Sequence, residues 1–85
     1  MKYVVLWEER AEAELAAIWL AAADHHAIAR AAHWFDDQLA RSPLRVGESR
    51  ASSVHRIAFY SPLGIEFEVI EDDKRVVVQA VFAAV

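Results

Sequence analysis

Arg45, Glu48, Arg50, Arg56 and Tyr60 are the side chains whose types could work together in a reaction. Guanidinium groups grip phosphate through paired hydrogen bonds. A glutamate such as Glu48 can act as a general base, and a tyrosine can give up a proton or offer a ring to a base. Together they would make a cleft facing nucleic acid. A plainer reading uses the same residues. If Arg56 and Tyr60 share the outer face of a sheet with Glu66 and Glu68, cross-strand Arg–Glu pairs would lace a solvated face with no reaction to perform. Arg41 extends the basic run. From Arg41 to Arg56 four arginines stand against Glu48, a local balance of about +3. Arg41 and Arg45 are therefore candidates for a partner or nucleic-acid surface.

His26, Arg30, His33 and Asp37 fall at i, i+4, i+7 and i+11, one polar face of a helix. His33 and Asp37 have a spacing that can hold a metal. Arg30 sits between the histidines and repels a cation, so the expectation is a solvent stripe with no metal. His25 reads as a first-turn surface residue and His55 as a half-buried histidine at the core edge. Among the tryptophans, Trp19 belongs to an apolar helix stripe and is expected in the core. Trp7 is placed to cover a sheet edge. Trp34 lies off the main stripe, either as part of a partner surface or packed at the rim of the helices. Glu8, Glu9, Glu12 and Glu14 read as a solvated face. There is no Gly-rich phosphate loop, no nucleophile elbow and no cysteine, and no cofactor is implied.

The elements that position these residues follow from periodicity. Lys2 to Trp7 is β-rich, with Tyr3, Val5 and Trp7 on one face. Glu8 and Glu9 open a helix with acids at its positive end and no clear N-cap. Leu15, Ile18, Trp19 and Ala22 make its apolar stripe. Asp24 is placed to cap a second helix striped by Ile28, Ala31, Ala32, Phe35 and Leu39. Ser42-Pro43 ends that helix, because a residue before proline is pushed out of helical space. The short link makes the two helices antiparallel neighbours. Val54 to Tyr60 alternates, with Ile57 and Phe59 opposite Arg56, Ala58 and Tyr60. After the Ser61–Gly64 turn, Ile65, Phe67 and Val69 alternate with Glu66 and Glu68, which predicts one buried and one wet face. The run around Val76-Val77-Val78 is apolar on both faces except at Gln79, so it belongs inside the sheet. Asp72, Asp73 and Lys74 form the turn between these two strands.

Eighty-five residues predict one domain spanning 1–85 with a modest core. Hydrophobic residues at 56% exclude a disordered tail. The longest apolar run, Leu15 to Ala23, is nine residues, less than half of the roughly 20 that a membrane span needs. No cleavage site follows the short N-terminal apolar run, so no signal peptide is expected. The lack of cysteine fits a reducing cytoplasm. A net charge of −4 argues against nonspecific nucleic-acid binding by the whole surface.

The order of these pieces resembles the RelE/ParE toxin superfamily, the toxin half of bacterial type II toxin–antitoxin pairs. The residues that carry the resemblance run along nearly the whole chain. They are the first strand ending in Trp7, Ala11-Glu12-Ala13-Glu14-Leu15 with Ile18-Trp19, and Ala31-Ala32 with Phe35-Asp36 and Leu39. Pro43, Gly47-Glu48-Ser49-Arg50, Arg56, Pro62-Leu63, Phe67-Glu68-Val69, the acidic turn and Val76-Val77-Val78 complete it. The resemblance implies a RelE-like α+β fold: an antiparallel sheet ordered β-α-α-β-β-β, with a short extra strand near Gly47 to Arg50. A helical hairpin would pack on one face, with the first strand beside the last. It also implies an antitoxin whose extended segment wraps the protein.

Activities in that superfamily divide. RelE-like members cut ribosome-bound mRNA without a metal, using basic residues near the start of the strand that holds Phe67 and basic, Tyr or His groups after the last strand. ParE-like members poison DNA gyrase and lack that set. In this chain the first of those places falls on Gly64, and Phe82-Ala83-Ala84-Val85 supplies no basic group for the second. An RNase must stabilise charge developing on phosphate, and Glu66 and Glu68 would repel an RNA backbone. An endoribonuclease here would have to rest on Arg50, Arg56 and Glu48 assisted by Tyr60. A gyrase-directed toxin, or a non-catalytic interaction module related to the toxins, needs only a binding surface.

Overall fold

Alternation in Leu63–Ile70 sets the core: Leu63, Ile65 and Phe67 are fully buried and Val69 nearly so, while Glu66 is exposed. The computed structural model describes residues 2–50 and 52–84, with Ser53 described in its backbone only. The elements are β1 (Val4–Trp7), α1 (Glu9–Ala21), α2 (His25–Arg41), a 3-10 turn at Pro43–Arg45, β2 (Glu48–Arg50) and β3 (Ser52–Tyr60). β4 (Leu63–Ile70), a second 3-10 turn at Glu71–Asp73 and β5 (Arg75–Ala83) follow. β2 is the short extra strand expected near Gly47 to Arg50.

The strands form one sheet in the order β1-β5-β4-β3-β2. β5 lies between β1 and β4, which is why Val76-Val77-Val78 is apolar on both faces. Its neighbours pair antiparallel through β4, β3 and β2, but β1 runs parallel to β5. The sheet is therefore mixed, with the first strand beside the last. Connecting parallel strands requires a long crossover, and the two helices begin it.

Asp24 caps α2 as its position predicts, its Oδ1 accepting from the Ala27 amide at 3.1 Å. α1 starts at Glu9 with no side-chain cap. Ile28, Ala31, Phe35 and Leu39 of α2 and Ala11 of α1 pack against Ile65, Phe67, Val76, Val78 and Val81. Burial of each large side chain contributes about 1.5–3 kcal/mol. The core face also takes Val5 and Trp7, half-buried, and Trp7 Nε1 donates to Asp36 at 2.7 Å. Lys74 closes the β4–β5 connection with a left-handed backbone, φ 48°. Among the described residues no helix is long and apolar enough to cross a membrane.

Three expectations about side chains are corrected. Trp19 is 39% exposed, not in the core. Leu15 and Ile18 of α1, with Ala22 just past its end, form the inner row, so Trp19 falls on the flank and lays its ring on His25, centroids 4.5 Å apart. Glu14 is not simply a solvated acid. Its Oε1 accepts from the Val81 amide at 2.9 Å, just beyond the extra residue, Gln79, that lies between the Phe67–Val78 and Glu66–Ala80 pairs. The third correction concerns β3 and decides the geometry of the site.

Candidate functional site

Directly opposed residues on neighbouring strands share a face. Arg56, Ala58 and Tyr60 lie opposite Phe67, Ile65 and Leu63, so they belong to the helix-covered face. His55, Ile57 and Phe59 lie opposite Glu68, Glu66 and Gly64 and belong to the uncovered face. This reverses the expected phase of β3. Ala58 is 2% exposed and Phe59 61%. Ala58 lies inside where Gly47 leaves it room, since a Cβ on Gly47 would come within 2.7 Å of the Ala58 Cβ.

Arg56 and Glu48 therefore do not converge. Arg56 turns back on the segment before it: Nε donates to the Val46 carbonyl at 3.1 Å, Nη2 to the Gly47 carbonyl at 3.0 Å and Nη1 to Ser49 Oγ at 3.2 Å. Gly47 is held at φ 69°, and a Cβ there would lie 2.0 Å from the Ile57 carbonyl oxygen, so only glycine suits the bend. Tyr60 stacks on Trp34, centroids 4.2 Å apart and planes at 18°. Trp34 is thus at the rim of the helices, half-buried, above a depression of about 410 Å³ lined by Arg30, His33, Asp37 and Tyr60. Arg41, exposed, pairs with the half-buried Asp37 at 3.1 Å. Arg45 and Arg50 are exposed, in the first 3-10 turn and in β2. His55 Nε2 and Gln79 Oε1 are 2.8 Å apart. Among the described residues there is no cluster that could hold a metal.

The uncovered face is built in rows across the strands. Leu6, Val77, Glu68 and His55 make one, Ala80, Glu66, Ile57 and Glu48 the next, and Phe82, Gly64 and Phe59 the third. Gly64 is roofed by aromatic rings. A Cβ there would lie 2.4 Å from Phe82 Cε2 and 3.1 Å from Phe59 Cδ1, and the two rings meet edge to face at 5.8 Å. An arginine cannot occupy this position while Phe82 stays where it is.

The cross-strand Arg–Glu lacing is also absent. Ion pairs among the described residues join Arg10 to Glu14, Arg41 to Asp37, Lys74 to Glu71 and Arg75 to Asp73. None engages Glu48, Glu66 or Glu68. At one end of the sheet Tyr3, Glu71 and Lys74 form a small exposed cluster. The Lys74 ammonium, then the Tyr3 hydroxyl, hold the Glu71 carboxyl below its ordinary value. Hydrogen bonding to Glu71 raises both Lys74 and Tyr3.

A mixed sheet in this order with a helical hairpin on one face is the fold of the RelE and ParE toxins. The chain is similar to a chain of the RelBE2 toxin–antitoxin complex from Mycobacterium tuberculosis, with 22% identity over 98% of this chain and 99% of that one, TM-score 0.78. It also resembles a chain of the chromosomal ParDE system from P. aeruginosa, with 15% identity over 99% and 98%, TM-score 0.72. The isolated E. coli RelE toxin matches at 18% identity over 98% and 85%, TM-score 0.71. No family model and no curated protein matches the sequence.

Proposed function

We propose that this protein is the toxin of a type II toxin–antitoxin pair, neutralised in the cytoplasm by a segment of a cognate antitoxin, and that it acts by binding a protein rather than by cutting RNA. The fold supports the first part, because chains of this shape occur in complexes named as toxin–antitoxin pairs. One observation carries the second. Where the resemblance places a basic residue, Gly64 lies beneath Phe59 and Phe82, beside the carboxylates of Glu66 and Glu68. A ribonuclease needs positive charge aimed at the scissile phosphate, and this face offers the opposite sign.

The remaining basic residues favour the same reading. Arg56 spends its guanidinium on Val46, Gly47 and Ser49, and Tyr60 is stacked against Trp34. Residual cleavage would have to depend on Arg50 and Glu48. A ParE-like action on DNA gyrase fits a protein-binding toxin. The test is expression of the chain alone and together with the product of a directly adjacent gene. Growth arrest relieved by the neighbour is the expected result. Absence of arrest in the native host would sink the toxin reading and leave a protein-interaction module of the same fold.

A further inference from the structure

We infer that the cleft at the link between the two helices binds a small organic ammonium ion, a primary amine carried on a short aromatic or alkyl body. The inference stands apart from the toxin reading, since none of Arg45, Glu48, Arg50, Arg56 and Tyr60 lines this cleft.

The cleft follows from the residues between the helices. Ala21 ends α1, Ala22 and Ala23 make the link, and Ala27 stands in the first turn of α2. Methyl groups leave unfilled the space between this link and the end of the sheet, where Pro62 and Ala83 also line it. Ile28, buried in the core, closes it from α2. The opening that remains is about 370 Å³, at the small end of the range of about 300–1,000 Å³ that takes organic ligands. Apart from Asp24, the side chains that line it are hydrocarbon, so the body of the ligand is apolar as well.

Charge selects the head group. Among the described residues Asp24 is the one charged side chain in the lining. Its Oδ1 accepts from the Ala27 amide at 3.1 Å, and none of the ion pairs among the described residues engages it. An ionised carboxylate offers about four lone-pair sites, so one amide leaves most of them for a ligand. The end of α1 has the same sign. Its last carbonyls carry the negative end of the helix dipole. No basic residue stands in its last turn, and the Ala22 amide caps it only at the Trp19 carbonyl, 3.3 Å away. The positive start of α2 is already met by the Asp24 side chain. Neither His25 nor His26 lines the cleft, and His25 lies against Trp19. An ammonium has three donors. It can satisfy the Asp24 carboxylate and an end carbonyl of α1 together, and an acid of the same shape would be repelled by both.

The test titrates the isotope-labelled full chain with phenethylamine and follows backbone amide shifts by NMR. Three comparison probes are hydrocinnamate, with a like body and the opposite charge, phenethyl alcohol, which is neutral, and methylamine, which has the head without the body. Phenethylamine is expected to give saturable shifts at Ala22, Ala23, Ala27 and Ala83 with a dissociation constant of about 1 mM or below. Each comparison probe should bind about threefold or more weakly. Asp24→Asn removes the charge and keeps an N-cap of equal rank, so it should weaken the amine about threefold or more with the fold intact. Ala21→Phe puts a ring into the opening and should abolish binding. Circular dichroism checks both variants, and if Ala21→Phe unfolds, Asp24→Asn decides alone.

Five results would each overturn the inference. They are no saturable shift, shifts centred on the carboxylates of Glu66 and Glu68 instead, hydrocinnamate or phenethyl alcohol binding as tightly as the amine, methylamine doing the same, and amine binding unchanged in Asp24→Asn.

Discussion

Replacing Arg56 with alanine separates a structural clamp from a catalytic group. The guanidinium makes three charge-assisted hydrogen bonds, to the Val46 and Gly47 carbonyls and to Ser49 Oγ. Taken at about 1 kcal/mol each, they amount to about 3 kcal/mol. The acceptors regain water when the side chain is removed, which reduces the net loss to about 2 kcal/mol. For a domain of this size that corresponds to about 10 °C in Tm. Arg56→Lys keeps the charge but cannot reach all three acceptors from one ammonium, so it should lose about half as much. Urea and thermal denaturation followed by circular dichroism measure both. Amide exchange is expected to accelerate first between Val46 and Arg50. If Arg56→Ala unfolds within about 0.5 kcal/mol of the unsubstituted protein, the clamp carries no energy. A variant of undiminished stability that nonetheless lost growth arrest would place Arg56 in contact with a target.

Other perturbations probe the remaining features. Gly64→Ala drives a Cβ into the Phe82 ring and should cost about 1–3 kcal/mol. It should cost less in a Phe82→Ala background, a coupling that a double-mutant cycle by urea denaturation measures. Glu14→Ala removes the acceptor for the Val81 amide and should cost about 1–2 kcal/mol, whereas Glu14→Gln, which keeps an acceptor, should cost markedly less in the same denaturation assay. Because the folded pKa of Glu71 is depressed, its contribution is present above the ordinary value of 4.5 and is lost as pH falls through the folded value. Carboxyl NMR titration should show the Glu71 value rising in Lys74→Ala.

The elements were legible where a single residue type fixes the local answer. Asp24 marks the start of α2, Ser42-Pro43 its end, and Glu66 and Glu68 name the wet side of β4. β3 was not legible. Apolar residues stand on both sides of β3, Val54 and Ala58 on one and Ile57 and Phe59 on the other, so alternation alone does not say which row goes inside. Ala58 goes inside where the absent side chain of Gly47 leaves it room, and that is a tertiary fact. The grouping of Arg56 with Glu48 was likewise beyond what sequence could place. Arg56 and Glu48 were grouped by proximity in sequence and placed by register on opposite faces. The order Glu14 to Val81 spans most of the chain, and nothing local to Glu14 distinguishes it from Glu12. Trp19 was misplaced because a stripe at i, i+3, i+4, i+7 is wider than the row that α1 buries.

The roof over Gly64 could have been suspected from sequence. A glycine facing positions held by Phe59 and Phe82 is a common way to seat aromatic rings on a sheet. Recognising it requires the strand register, which the β3 ambiguity withheld. The open face is acidic, as Glu66 and Glu68 imply, and more apolar than a solvated surface, since Phe59 and Leu6 stand exposed on it.

The proposed action by protein binding is tested most directly by mapping transcript 5′ ends in cells in which this chain is induced. The account expects arrest that the adjacent gene's product relieves, with no new ends inside translated messages. New ends within translated mRNAs, abolished by Glu48→Ala or Arg50→Ala, would contradict it and assign the chain to the RNA-cutting branch of its fold.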